Sequence, residues 1–207
     1  MQHYYLEKMG ITAWVQREDR HAVSALQCLK ETVSACTRCP LHSTRTQTVF
    51  ARGNPQAKLM LIGDAPDIYE DQQGTPIVGA AGSLLDKMLT SIGLDHDQIY
   101  MTNLLKCHPP SHRDPQLNEL AQCTDYLTQQ IALIKPKFLL ALGCFSGQYL
   151  LNTTQSLNEM RTHIHHYQDI PVMVTYHPTD LLKNPGDKKK AYQDWLTATR
   201  SLDEALA

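Results

Sequence analysis

The chain has 207 residues, 42% apolar and 19% charged, enough for one large domain with its own core and without a low-complexity tract. A formal charge of -2, with 10 histidines counted neutral, excludes the overall basic character that announces many nucleic-acid binders. No apolar run reaches membrane-spanning length and the first ten residues lack an apolar core, so a cytoplasmic protein without a secretory signal is expected.

Residues 1–20 read as a separate element. Apolar Tyr5, Leu6, Met9, Ile11 and Trp14 precede the wholly polar stretch Gln16 to Arg20, the pattern of a partner-binding peptide followed by a linker. The remaining residues, 21–207, form the domain. Its first helix is predicted over 21–35 from the spacing of Leu26, Leu29 and Val33. From Lys58 onward apolar runs alternate with periodic segments. The runs are KLMLIG (58–63), QIYMTNLLK (98–106), KFLLALG (137–143) and PVMVTYHP (171–178), and they suit strands buried on both faces. Helices are predicted at 80–93, 115–134, 144–152 and 187–206. This alternation argues for an α/β fold with a central, mostly parallel four-stranded sheet between two helical layers. In such sheets ligands sit beyond the carboxyl ends of the strands. Each run leads into unusual polar chemistry there: GDAPD, TNLLKCHPP, LGCFSG and TYHPTDL.

Six cysteines are present, at positions 28, 36, 39, 107, 123 and 144. Disulfides are rare in the cytoplasm, so clustered cysteines point to metal or catalysis. Cys36 and Cys39 form a C-x2-C pair, whereas Cys107 and Cys123 are dispersed. A second tight pair, usual in zinc ribbons, is missing. One close pair plus two dispersed thiolates fits four-cysteine iron–sulfur ligation, with zinc or no metal as the alternatives that spacing leaves open. Cys28 and Cys144 read as core thiols.

The order of motifs resembles the family 4, iron–sulfur uracil-DNA glycosylases, from about Cys36 to Trp195. The matching segments are Cys36–Cys39, Gly63-Asp64-Ala65-Pro66-Asp67, Gly74-Thr75-Pro76-Ile77-Val78-Gly79, Thr102-Asn103-Leu104-Leu105-Lys106-Cys107-His108-Pro109-Pro110, Cys123 and Tyr176-His177-Pro178-Thr179. The resemblance implies a 4Fe-4S cluster on Cys36, Cys39, Cys107 and Cys123, and a pocket that reads a base flipped out of DNA. It implies that Asn103 engages the uracil edge and that His177 stabilises the leaving base. Asp64 then supplies the carboxylate beside the sugar, and Glu70 helps to exclude the thymine methyl. Gly63, Ala65 and Ile77 would complete the pocket, while Leu181 would press on the duplex with Lys183 beside it.

Three positions depart from the family pattern. Asp64 stands in place of Glu, one methylene shorter. Asp67 replaces a glycine, so a side chain there is expected to crowd the pocket. Ile77 replaces a phenylalanine that would stack on uracil, an interaction worth roughly 1–3 kcal/mol. A second resemblance covers about fifteen residues: Leu6-Glu7-Lys8-Met9-Gly10-Ile11-Thr12-Ala13-Trp14 is similar to the N-terminal peptide of the psi subunits of bacterial DNA polymerase III. It implies docking on a clamp loader through Leu6, Met9, Ile11 and Trp14. Two functions follow: a monomeric uracil-DNA glycosylase acting on single- or double-stranded DNA, or a non-catalytic clamp-loader subunit built on the same fold.

Overall fold

The computed structural model describes residues 17–206. Leu6, Met9, Ile11 and Trp14 lie outside that range. Helix α1 (Arg17–Ser34) begins within the stretch read as a linker, so the polar residues from Arg17 onward are helical, and the expected boundary at 20/21 falls inside a helix.

The four apolar runs are strands: β2 (Leu59–Gly63), β3 (Ile99–Asn103), β4 (Phe138–Leu142) and β6 (Ile170–Thr175). They pair in parallel, and β2, β3 and β4 are buried at every position. The sheet has six strands rather than the expected four, because β1 (Arg52–Gly53) and β5 (His165–Tyr167) pair antiparallel at its two edges. These edges are two and three residues long, partly exposed and polar. Short, polar strands blunt a sheet edge, and for the same reason they leave no apolar run to read.

Successive side chains of a strand face opposite sides, and the core divides accordingly. Met60 and Ile62 join Leu26, Val33, Leu127, Ile131, Leu139 and Val174 in one cluster. Leu59 and Leu61 join Leu85, Leu89, Met101, Leu140, Met173 and Trp195 in the other. The first layer contains α1, α4 (Leu117–Ile134) and α5 (Cys144–Leu151). The second is formed by α3 (Gly79–Ser91) and α8 (Lys188–Leu206). Helix α8 buries Ala191, Asp194, Trp195, Ala198 and Leu202, which share one face at helical spacing. Three short helices were not expected: α2 (Ile68–Gln73), α6 (Leu157–Met160) and α7 (Pro178–Lys183).

Strand register aligns the carboxyl ends. Gly63 lies opposite both Asn103 and Leu142, and Leu142 lies opposite Thr175. The segments that follow these four residues therefore leave the sheet along one edge. A buried ion pair holds the last of them: Arg161 donates to both Asp194 oxygens at 2.8 and 2.9 Å, and the Thr175 hydroxyl donates to Asp194 at 2.6 Å. The end of β6 is thus tied to α8 just before His177.

Candidate active site

At the end of β3, Asn103 is only 1% exposed, and its Nδ2 donates to Glu70 Oε1 at 3.3 Å. Its Oδ1 has no hydrogen-bond partner among the described residues. Gly63 faces that oxygen across the sheet. A Cβ at Gly63 would collide with Asn103 Oδ1 and lie 3.4 Å from His177 Nε2, so the missing side chain keeps open a gap between the two polar groups. A buried acceptor left without a donor costs roughly 1–3 kcal/mol, which marks this gap as a place for a ligand.

Glu70 closes the same wall. It is 3% exposed, and it accepts from the Asp67 N–H at 2.6 Å and from the Ile77 N–H. Burial pushes its carboxyl above the usual range, opposed by the hydrogen bonds from Ile77 and Asp67. Every donor aimed at Glu70 suits an ionised acceptor.

Asp64 follows Gly63 and turns toward the N-terminus of α5. It accepts from the Ser146 N–H at 2.7 Å and from the Phe145 N–H at 3.3 Å. Gly143, with φ +123°, lies so close that a Cβ there would strike the Asp64 carboxylate. Desolvation raises the Asp64 carboxyl, while hydrogen bonds from Ser146 and the nearby His177 act in the opposite direction. His177 caps α7, its Nδ1 accepting from the Thr179 N–H at 3.3 Å. In a neutral ring that bond places the proton on Nε2, the nitrogen facing the Gly63 gap.

Gly63, Asp64, Glu70, Asn103 and His177 thus come together from segments far apart in sequence, and Ala65 packs partly buried against the first core cluster. Ile77 supplies its backbone N–H to Glu70, while its side chain is buried within the second cluster. Its φ of +49° is unusual for a β-branched residue.

Two expectations are corrected. Asp67 does not crowd the pocket: its Oδ1 accepts from the Tyr69 and Glu70 N–H groups at 2.8 Å each, capping α2, and its φ of −84° needs no glycine. Leu181 is not presented to a duplex. It is 0% exposed and packs with Tyr176 and Ala191, whereas its neighbour Leu182 is 41% exposed. Lys183 is exposed.

Cys36, Cys39, Cys107 and Cys123 line one cavity, together with Arg45, Lys106 and Tyr126. Among the described residues, no three His, Cys, Asp or Glu side chains stand close enough to hold a single metal ion. Arg45 donates to Cys107 Sγ at 3.2 Å, and the Lys106 N–H donates to Cys123 Sγ at 3.3 Å. Burial raises the thiols of Cys39 and Cys107, and pushes Cys123 up to about 11. Of the two remaining cysteines, Cys28 is exposed rather than in the core, and Cys144 is partly buried at the start of α5.

Lys106 was given no role from sequence. It is 1% exposed and its Nζ donates at 2.6 Å both to the Thr102 hydroxyl and to the Asn103 carbonyl. It connects the cysteine cavity to the strand end that carries Asn103. Its place between Asn103 and Cys107 in the matched motif was the available signal. Phe145 and Ser146 act through backbone N–H groups, which leave no trace in side-chain type.

The family model of the uracil DNA glycosylase superfamily matches residues 50–198. A type-4 uracil-DNA glycosylase of Sulfurisphaera tokodaii is 38% identical over 84% of this chain and 83% of its own length. One of Thermotoga maritima is 35% identical over 79% of this chain and 86% of its own length. A type-5 uracil-DNA glycosylase of Pyrobaculum aerophilum is 23% identical over 84% of this chain and 86% of its own length. With its carboxyl-edge pocket, its four-cysteine cavity and these relatives, the chain belongs to the uracil-DNA glycosylase superfamily and, within it, to the type-4 family.

Proposed function

We propose that this protein hydrolyses the N-glycosidic bond of uracil flipped out of DNA. The observation that carries the reading is the Gly63 gap, flanked by the unpartnered Asn103 Oδ1 and by His177 Nε2. Uracil presents a donor, N3–H, between two carbonyl acceptors. Asn103 Oδ1 accepts from N3–H and Nδ2 donates to O4, while Glu70 holds the amide in that orientation. Cytosine reverses this donor–acceptor pattern and would leave buried groups unsatisfied. His177 Nε2–H donates to O2. As the bond between N1 and the sugar breaks, the electron pair moves onto the base and that hydrogen bond strengthens. Asp64, fixed by two N–H groups of α5, is the carboxylate that offsets positive charge on the sugar and orients the water that attacks it.

Cys36, Cys39, Cys107 and Cys123 fit a 4Fe-4S cluster, because they line one cavity and a cluster of this kind is held by four cysteine thiolates. Dispersed thiols around one cavity suit a polynuclear group better than one ion. When bound, the cluster supplies iron–thiolate bonds that join the segment after α1 to the loop after β3 and to α4. Lys106 then holds the backbone of Asn103 from the cluster side.

The test is uracil release from an oligonucleotide containing one uracil, using cluster-loaded protein. Asn103→Ala and His177→Ala are each expected to lower single-turnover excision by about 10²–10³-fold. No release by the wild-type protein would sink the glycosylase reading and favour the clamp-loader subunit. In either case the apolar spacing of Leu6, Met9, Ile11 and Trp14 supports a tether in residues 1–20. Removing those residues should abolish retention on an immobilised clamp loader; unchanged retention would overturn the tether.

A further inference from the structure

The helix that carries Glu70 into the pocket also carries two apolar side chains out of it. Ile68 is 41% exposed and Tyr69 is 62% exposed, among the most exposed large apolar residues described. The capping of α2 fixes their place: the Tyr69 N–H is bound by Asp67, and the next residue, Glu70, reaches back to the Asp67 N–H. Tyr69 therefore stands one residue from the pocket wall, on its solvent side. Leu182, also exposed, leaves the same sheet edge beyond β6, two strands away from β2 and roughly 10 Å across the sheet.

The charge around Tyr69 narrows what it can meet. Asp67, Glu70 and Asp71 all lie within two residues of it, and no Lys or Arg occurs from Asp64 to Leu85. That segment offers no cation of its own to hold a phosphate beside Tyr69. A nucleobase face carries no charge and stacks on a phenol ring whatever its sequence. The buried Asn103 and Glu70 define the uracil position, and the exposed ring lies outside it.

We infer that Tyr69 is a DNA-binding residue whose ring stacks on the unpaired base flanking the flipped uracil, with Ile68 extending the apolar surface. The inference rests on the glycosylase reading for the position of the uracil. It assigns part of the affinity at this side of the pocket to an uncharged contact that salt does not screen.

The test uses an oligonucleotide with one uncleavable 2′-fluoro-deoxyuridine flanked by 2-aminopurine, and a cleavable deoxyuridine counterpart. Wild-type protein should quench 2-aminopurine on binding, and Tyr69→Phe should behave the same. Tyr69→Ala should lose the quenching and bind about five- to 150-fold more weakly, by the same ratio at about 50 and 200 mM salt. Its melting temperature should match the wild type, as expected for an exposed side chain. Wild-type quenching and affinity in Tyr69→Ala would overturn the inference. If Tyr69-dependent quenching is present but the cleavable strand releases no uracil, the stacking contact stands and the glycosylase reading falls alone.

Discussion

The pocket and the cysteine cavity lie on either side of the end of β3, yet they are finished in different ways. In the pocket, backbone N–H groups already hold both carboxylates: Ser146 and Phe145 bind Asp64, and Asp67 and Ile77 bind Glu70. The polypeptide alone completes that wall. In the cavity, four thiols line one space, Arg45 and the Lys106 N–H donate to two of the sulfurs, and burial raises the thiols of Cys39, Cys107 and Cys123. That side needs added positive charge. On the proposed reading, the difference teaches that the recognition wall is preorganised by the fold, whereas the C-x2-C segment relies on a bound cluster for its stability. Lys106 spans the two, so loss of the group should loosen Asn103 only indirectly.

The largest expected effect lies on the cavity side. Cys123→Ala should abolish iron and sulfide retention, with the visible absorption of the cluster as readout, and should lower thermal stability. Structural metal centres contribute apparent energies on the order of 10 kcal/mol, so a variant that keeps wild-type stability without iron would break the contrast between the two regions.

Next comes the short helix α7, where adjacent leucines have opposite surroundings. Leu181→Ala should destabilise the protein by about 2–5 kcal/mol in urea unfolding, by loss of packing beside Tyr176 and Ala191. Leu182→Ala should stay within about 0.5 kcal/mol and weaken duplex binding instead. If the two variants exchange phenotypes, the assignment of the buried and exposed leucines is wrong.

The pocket carboxyls give a pH signature with two opposite signs. The folded-state values of Asp64 and Glu70 both lie above the ordinary carboxylate range, chiefly through desolvation. Their contribution to stability is therefore fully present in acid, below the unfolded value, and is lost as pH rises through the raised folded value. If excision uses the ionised forms, as proposed, its rate should instead rise by up to about tenfold per pH unit across that window for each required carboxylate. Glu70→Gln should remove one step from the pH–rate profile, and an unchanged profile would show that Glu70 ionisation is irrelevant.

The smallest effect tests the helix cap. Asp67→Ala should cost about 1 kcal/mol by freeing the Tyr69 and Glu70 N–H groups, and should reduce excision through a less rigid Glu70. A gain in excision would instead mean that the Asp67 side chain obstructs the pocket.

Much of this protein was legible before any coordinates. Four apolar runs ending in polar motifs were enough to place four parallel strands and the polar segments that leave their carboxyl ends, because full burial leaves a continuous apolar signature. Cysteine spacing and motif order likewise pointed to the four cysteines that line one cavity and to Asn103 and His177, which both face Gly63. Tertiary structure decided the rest. A short carboxylate such as Asp67 points to whichever N–H groups the local chain presents, and residue type does not reveal that choice. On a six-residue helix, Leu181 and Leu182 have the same hydrophobicity, and only the packing of α8 and Tyr176 determines which one is buried. The buried role of Lys106, the polar edge strands and the exposure of Cys28 share one cause. Each depends on neighbours distant in the chain, and periodicity records only the average environment along an element.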